Sequence, residues 1–306
     1  MSRALLILAA LAVVATACTS SEGSDTSVTT VPPTNAPVTT LPPTESSSST
    51  TTAPSETEST TTTTEAIPEN ECTVGPDSSV EGYTKGCTVL GIPMLAGEDV
   101  DDDALLAQAD RVYNMLLFRP DLQASFLETA VEGRVIPAGT RIDDLPEYAD
   151  LYDQYPGTDW RRRGRSFAGT ELVPYFSGAE ENLLCSADDF YEGEDIFVRT
   201  FALTIRRFGL DIVDPPTSRA IDQAYGRAIA AGLWTNTLAE INEDEYWMEG
   251  VQSFFDANIE DDREEREPNS SHNEIDTREE LADYDPTLYA IAASVFGEGD
   301  WRPSCP

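Results

Sequence analysis

A change in composition near residue 70 most strongly limits how this chain can fold. Residues 19–67 are dominated by Ser, Thr, Pro and Glu, and the tracts 47–52 and 60–64 contain only Ser and Thr. Such a segment has too little apolar surface to offset the entropy of ordering it, so we predict a disordered, extended stalk over residues 18–69. A packed core must therefore come from residues 70–306, a length that suits one domain or one domain with a small N-terminal lobe.

The first eighteen residues have the pattern of an export signal. Arg3 precedes an apolar run over residues 4–14 that is too short to span a bilayer, and small residues then precede Cys18. We predict a lipoprotein signal peptide over residues 1–17 and lipidation of Cys18, which would anchor the protein to the outer face of the cell membrane. The alternative is an ordinary secretory signal with an incidental cysteine.

The charge of the chain excludes several classes of partner. One Arg and seven acidic residues lie before residue 70, so −31 of the total charge of −37 belongs to residues 70–306. Lys85 is the only lysine in the protein. So acidic a surface disfavours nucleic acid and anionic lipid as partners, which leaves the lipid on Cys18 as the expected membrane contact.

Four cysteines remain after Cys18, and an even number in an exported domain indicates two disulfides. They are Cys72, Cys87, Cys185 and Cys305. Three pairings can be formed. We favour Cys72–Cys87, which closes a short loop, and Cys185–Cys305, which ties the C-terminus to the core. No Cys-x-x-Cys spacing occurs among them, and this disfavours a metal site.

Apolar residues recur at helical spacing in several segments, and capping or turn residues mark their ends. The predicted helices span residues 98–118, 120–131, 195–208, 217–231, 243–257 and 285–296, with Asn242 as one N-cap and with Gly133, Gly209, Gly232 and Gly297 as closing glycines. The strand predicted is 134–137, and 259–273 is predicted to be an exposed loop. We therefore expect a mainly α (α+β) fold with a small or partial sheet.

Two charged runs each have two interpretations. Asp99, Asp101 and Asp103 match the first three ligands of a calcium loop, but Ala104 stands where such a loop needs glycine. We favour acidic residues that interact with the positive end of a helix dipole. Arginines 161–163 and Arg165 suit either an anionic ligand or pairing with the protein's own carboxylates, and the sequence does not decide between them.

An ordered series of short motifs carries a family resemblance. It comprises R-S-F-A-G-T at 165–170, A-E-E-N-L-L-C at 179–185, A-A-G-L-W-T-N-T at 230–237, N-E-D-E-Y-W-M-E-G-V-Q-S-F-F-D-A-N at 242–258 and H-N-E-I-D-T-R-E-E-L-A-D-Y-D-P at 272–286. Together they resemble secreted zincin-like metallopeptidases related to the catalytic domain of anthrax toxin lethal factor. The resemblance covers most of the chain after about residue 83.

The resemblance implies a zinc site whose residues are largely replaced here. Zincins place two His at i and i+4 of one helix, with a catalytic Glu beside the first. Those positions hold Arg199, Leu203 and Thr200. The family's third ligand matches Glu245, and its transition-state Tyr matches Leu238. We therefore expect neither zinc nor metallopeptidase catalysis, because a guanidinium repels a cation and Thr200 cannot act as a general base.

We predict that Arg199 takes the place of the zinc and contacts the Glu245 carboxylate, joining the two helices by a salt bridge. An alternative is that Glu245 serves only to start its helix together with Asn242. The candidate cleft residues are Arg165, Glu245, Trp247, Glu249 and His272. His272 is the only histidine, and we favour a loop residue with local hydrogen bonds over a part of the cleft wall.

These observations favour a lipid-anchored, catalytically inactive metallopeptidase-like domain that binds a peptide, protein or polysaccharide at the cell surface. An alternative is an active hydrolase that uses carboxylates such as Glu180, Glu181, Glu245 and Glu249. A second alternative is a purely structural envelope protein.

Overall fold

The computed structural model describes residues 72–150, 153, 164–259 and 272–306, all within one compact unit, Thr63–Pro306. The predicted signal peptide, Cys18 and the stalk lie outside the described residues. So do arginines 161–163 and most of the loop predicted at 259–273. Within the described ranges, no helix combines the length and the apolar character needed to cross a bilayer.

The fold is α+β, and its sheet is larger than the small or partial one that the sequence predicts. The six strands are β1 (Gly75–Pro76), β2 (Lys85–Val89), β3 (Ile92–Ala96), β4 (Glu132–Ile136), β5 (Ser166–Phe167) and β6 (Tyr175–Ala179). Their order is β1-β2-β3-β4-β6-β5. Strands β3, β4 and β6 run parallel, whereas β1–β2, β2–β3 and β5–β6 are antiparallel pairs.

The helices mostly follow the predicted segments. They are α1 (Asp102–Leu116), α2 (Pro120–Glu128), α3 (Glu180–Leu183), α4 (Ile196–Ile205), α5 (Asp211–Val213), α6 (Pro215–Ala230), α7 (Glu243–Phe254), α8 (Arg278–Tyr284) and α9 (Pro286–Phe296). As predicted, the Asn242 side chain accepts a hydrogen bond from the Glu245 amide at 2.9 Å and starts α7. Helices α3, α5 and α8 are additions to the predicted set.

Two predicted helix ends are wrong for steric reasons. Helix α2 stops at Glu128 rather than near residue 131, because Ala130 adopts a φ of 52° and the chain then enters β4. Gly209 does not close α4 but lies within a π-helical turn, Arg206–Leu210. A Cβ at Gly209 would lie 2.8 Å from Leu122 Cδ2, so the glycine lets this turn pack against α2.

Helix α4 is central, as its broad apolar stripe predicts. On one side Phe197 and Phe201 pack against Phe176 of β6, with ring centroids 6.0 and 4.8 Å apart. On the other side the Trp247 indole of α7 donates a hydrogen bond to the Ala202 carbonyl at 2.9 Å. Packing on both faces fixes the position of the α4 side chains that point toward α7.

Two disulfides join Cys72 to Cys87 and Cys185 to Cys305, which are the pairs that the sequence favours. The first links the start of the described chain to β2 across 15 residues, and the second links the end of α3 to the C-terminal tail across 120 residues. Cys185, just after α3, has a φ of 52°, a backbone conformation that residues other than glycine rarely adopt.

Candidate functional site

Helices α4 and α7 bring together one arginine and two glutamates. The Arg199 Nη2 atom donates a hydrogen bond to Glu245 Oε2 at 2.5 Å, so the predicted contact is confirmed. The Arg199 Nε atom lies 3.6 Å from Glu249 Oε2. Because Glu245 and Glu249 are four residues apart, they lie one above the other on the face of α7 that meets α4.

Glu249 is a fully buried carboxylate, with none of its side chain exposed. Its Oε1 atom accepts hydrogen bonds from Asn258 Nδ2 at 3.0 Å and from His272 Nδ1 at 2.7 Å. Burial acts to raise the pKa of Glu249, but the hydrogen bond and charge of His272 and the charge of Arg199 outweigh it and lower that pKa. Glu249 is therefore held as an anion inside the protein.

His272 links Glu249 to a second glutamate. Its Nε2 atom lies 3.2 Å from Glu194 Oε2, and Gln252 Nε2 donates to the same carboxyl oxygen at 3.1 Å. Burial acts to lower the pKa of His272, but the hydrogen bonds and charges of Glu194 and Glu249 raise it to about 9. The favoured interpretation of His272 as a loop residue with local hydrogen bonds is wrong, because both partners are distant in sequence.

Five residues thus form one connected group, which we call the ionic cluster: Glu194, Arg199, Glu245, Glu249 and His272. It contains three carboxylates and two groups that can carry positive charge. Burial acts to lower the pKa of Arg199, but Glu245 and Glu249 outweigh it, so the pKa is raised and the guanidinium stays charged. The members of the cluster lie on α4, on α7, two residues before α4 (Glu194) and in the segment that follows residue 271 (His272).

Two further positions that the resemblance assigns to the zinc site, Thr200 and Leu203, make contacts within the fold. The Thr200 hydroxyl bonds to the Ser166 hydroxyl of β5 and to the Ile196 carbonyl of its own helix. Leu203 is buried among the apolar residues of the core. Leu238 lies in a short 3-10 turn, Leu238–Glu240, and is half-buried.

The residues at these positions do not fit a zinc ion. Glu245 is the one oxygen donor among the three expected ligand positions, and a guanidinium already bonds to it at 2.5 Å. Zinc requires neutral imidazole, thiolate or carboxylate ligands, whereas Arg199 keeps its proton and Leu203 has no donor atom. Across the described ranges, no group of three His, Cys, Asp or Glu side chains has a geometry that could hold a metal ion.

The helix-start interpretation of Glu245 holds only for its backbone. The Glu245 amide is capped by the Asn242 side chain, while the Glu245 carboxylate bonds to Arg199. The backbone of Glu245 therefore takes part in starting α7, and its side chain joins α7 to α4. Its side chain is 27% exposed, which makes it the most accessible member of the ionic cluster.

Three residues that the sequence assigns to a cleft are buried instead: Glu249, Trp247 and Arg165. Trp247 has no exposed surface and stacks on Phe296 with ring centroids 5.8 Å apart, so it belongs to the core. Arg165 is buried and bonds to both carboxyl oxygens of Glu181, at 2.5 and 2.6 Å. For Arg165 the structure therefore selects pairing with the protein's own carboxylates. Arginines 161–163 lie outside the described residues.

A groove of about 200 Å³ opens where α4 begins. It is bordered by the Cys185–Cys305 disulfide and by several carboxylates: Asp189, Glu192, Glu194, Asp195 and Asp256. Burial raises the pKa of Asp189. Glu194 belongs both to this groove and to the ionic cluster. The acidic run 188–195 was the sequence signal for it, but acids are so frequent in this chain that the run did not stand out.

No protein-family model matches this chain, and no curated protein matches it. Among solved structures, the chain is similar to the PRO-PRO endopeptidase PPEP-2 from Paenibacillus alvei, with 10% sequence identity and a TM-score of 0.44. The match covers 66% of this chain and 96% of that chain. A similarity at this level supports no conclusion about the activity of the present protein.

Proposed function

We propose that this protein is a surface-anchored bacterial lipoprotein, held at Cys18, whose globular domain is a catalytically inactive relative of zinc metallopeptidases. Its role is to bind or scaffold at the outer face of the cell envelope. The motif resemblance supplies the expectation of a metal between two helices. The observation that carries the proposal is the Arg199–Glu245 bond, a direct side-chain contact between the two positions at which the resemblance expects zinc ligands.

The chemistry of the substitutions supports the loss of catalysis. A zinc peptidase needs a metal-bound water and a carboxylate that removes its proton, and each contributes orders of magnitude in rate. The position of the carboxylate holds Thr200, whose hydroxyl bonds to Ser166. A fixed guanidinium in place of the metal offers no exchangeable site at which a water could be activated.

The contacts of the four candidate carboxylates disfavour the alternative of an active hydrolase. Glu180 accepts the backbone amides of Asp101 and Ala138 at 2.7 and 2.8 Å, and Glu181 pairs with Arg165. Glu249 is wholly buried, and Glu245 pairs with Arg199. A general acid or base must reach the substrate, whereas these groups are engaged in holding the fold.

The groove beside Glu194 is our candidate for the place where a ligand binds, because ligand sites are usually concave. The expected ligand is a peptide, protein or polysaccharide at the cell surface. The acidic charge of residues 70–306 disfavours nucleic acid, and the membrane contact is the lipid on Cys18. The alternative is a purely structural role. Measured binding of a ligand to the groove would exclude it.

The first test measures metal content and turnover of the purified full-length protein. We expect less than one zinc per ten molecules after incubation with excess zinc and gel filtration, because the donor set does not fit. We also expect no cleavage of a peptide library above the buffer control. Stoichiometric zinc together with cleavage would refute the proposal.

The second test restores the expected donors. The triple variant Arg199→His, Thr200→Glu, Leu203→His should bind one zinc per chain if α4 and α7 are arranged as in a zincin, because Glu245 then becomes the third ligand. The matched control adds Glu245→Gln and should lose the zinc. A folded triple variant that binds no zinc, or that binds it equally in the control, contradicts the proposed relationship to metallopeptidases.

A further inference from the structure

The ionic cluster has a second cation that the family resemblance does not explain. Arg199 makes its short contact with Glu245, and its Nε atom remains 3.6 Å from Glu249. Glu249 and Glu194 are both buried carboxylates, and removing two anions from water needs close positive partners. The single positive charge of Arg199 cannot compensate three carboxylates, so the cluster needs a second positively charged group.

His272 supplies that group in its charged form. Its two ring nitrogens contact two different carboxylates, Glu249 at 2.7 Å and Glu194 at 3.2 Å. A neutral imidazole has one N–H donor, whereas an imidazolium has two. Because ionised carboxylates only accept hydrogen bonds, each ring nitrogen interacts favourably with its carboxylate only when that nitrogen carries a proton. The two carboxylate partners therefore point to an imidazolium at this position.

The imidazolium also fixes how Glu249 faces Arg199. His272 and Asn258 both donate to Glu249 Oε1, which leaves Glu249 Oε2 directed at Arg199 Nε. Neither of these last two atoms has a hydrogen-bond partner among the described residues. The hydrogen bond from His272 thus orients the Glu249 carboxylate. The oriented carboxylate in turn orients the Arg199 guanidinium.

We propose that His272 is a positioning residue: together with Arg199 it supplies the two positive charges that stand in for a metal dication, and through Glu249 it holds Arg199 against Glu245. The part about the dication rests on the proposed function, whereas the positioning role rests on the contacts alone. The groups that face His272 come from three elements: Glu194 before α4, Arg199 on α4, and Glu249 and Gln252 on α7, with Asn258 after it.

The test uses the fact that His272 is the only histidine, so the full-length protein gives a single imidazole signal in a proton NMR titration. The signal should titrate near pH 9 rather than near 6.5. Glu249→Gln and Glu194→Gln should each lower the midpoint, because each removes a negative neighbour. Arg199→Gln should raise it, because a positive neighbour is lost. Glu98→Gln, at an exposed residue outside the cluster, is the control and should leave it unchanged.

A midpoint near 6.5 in the unaltered protein would overturn the proposal, and it requires no variant to fold. A second measurement tests positioning. The coupling between Arg199→Gln and Glu245→Gln, taken from unfolding equilibrium constants, should fall by about threefold or more in a His272→Gln background. An unchanged coupling would show that His272 is only a structural neighbour. Zinc with turnover in the earlier test would remove the dication argument but leave this positioning result intact.

Discussion

Two regions of this molecule hold a side-chain cation among acidic residues, and they differ in burial. In the ionic cluster, Arg199 and its partner Glu249 are 13% and 0% exposed. At the start of α1, the Lys85 ammonium donates to the Val100 carbonyl and to Asp102 at 2.5 Å, but Asp102 is 58% exposed. Water can therefore replace Asp102 as the partner of Lys85, whereas it does not reach Glu249.

The comparison teaches that a metal-like pattern of acids in the sequence does not show what the acids do. The acids before α1 resemble a calcium loop, yet Asp101 caps the helix by accepting the Asp103 amide at 3.0 Å. The favoured helix-dipole interpretation agrees with that cap. A buried ion pair and an exposed ion pair are therefore expected to contribute very differently to stability. Removing one partner leaves an uncompensated charge only when the remaining partner is buried.

The largest effect should come from Arg199→Met, which keeps the length of the side chain and removes the charge. It leaves the buried Glu249 without one cation, so the free energy of unfolding should fall by about 3–5 kcal/mol in urea titrations at pH 7. Arg219→Met, at an exposed residue of α6, is the matched control and should change it by less than about 0.5 kcal/mol. Equal effects of the two variants would show that the buried cation Arg199 contributes no more to stability than an exposed arginine.

Glu245 and Glu249, both on α7, sharpen the comparison within one helix. Glu249→Gln should cost about 3 kcal/mol because it removes the anion that faces both His272 and Arg199. Glu245→Gln should cost about 1 kcal/mol, because the Glu245 side chain is partly exposed and water can solvate what remains. Urea titrations of both variants under the same conditions measure the order, and a larger loss at Glu245 would contradict it.

The pH dependence of stability follows from the raised pKa of His272, about 9 in the folded protein against 6.5 for an ordinary histidine. A raised pKa stabilises the fold fully below pH 6.5, and the contribution is lost as pH rises through 9. The loss should reach about 3 kcal/mol relative to His272→Gln, measured by urea titrations between pH 6 and 10. Parallel pH profiles for the two proteins would be inconsistent with a charged His272.

The smallest effect should come from Lys85→Met at the exposed region. The free energy of unfolding should fall by less than about 1 kcal/mol, because surface ion pairs contribute little. In 1 M NaCl this difference should disappear, while the effect of Arg199→Met should persist because buried pairs are screened much less. A salt-dependent loss at Arg199 that matches the loss at Lys85 would show that water reaches the cluster.

Sequence patterns predicted the elements whose signals are local. The cap at Asn242, the apolar stripe of α4 and the closing glycines Gly232 and Gly297 mark several helices correctly. The strands β2 and β6 were missed because they read K-G-C-T-V and Y-F-S-G-A, in which glycine and small residues give no alternation. Gly178 is needed there because a Cβ would lie 2.8 Å from Phe197 Cδ2, which only the packed structure shows.

The candidate site was predictable in part. The Arg199–Glu245 contact was predicted because the motif resemblance aligns Arg199 with one zinc-ligand position and Glu245 with another. The contacts of His272 with Glu194 and Glu249 could not be found in this way, because they join segments with no shared periodicity. Trp247 and Arg165 were misplaced because residue type alone does not distinguish a cleft wall from a buried core position.

The Cys185–Cys305 disulfide has a consequence for how the domain withstands proteases. It closes a covalent ring that contains α4, α7 and the whole segment up to the C-terminal tail. One cut of the backbone anywhere inside that ring yields two pieces that stay joined. A nicked protein should therefore migrate as one species without reductant and as two with it, and the helices that carry Arg199 and Glu245 should remain together after such a cut.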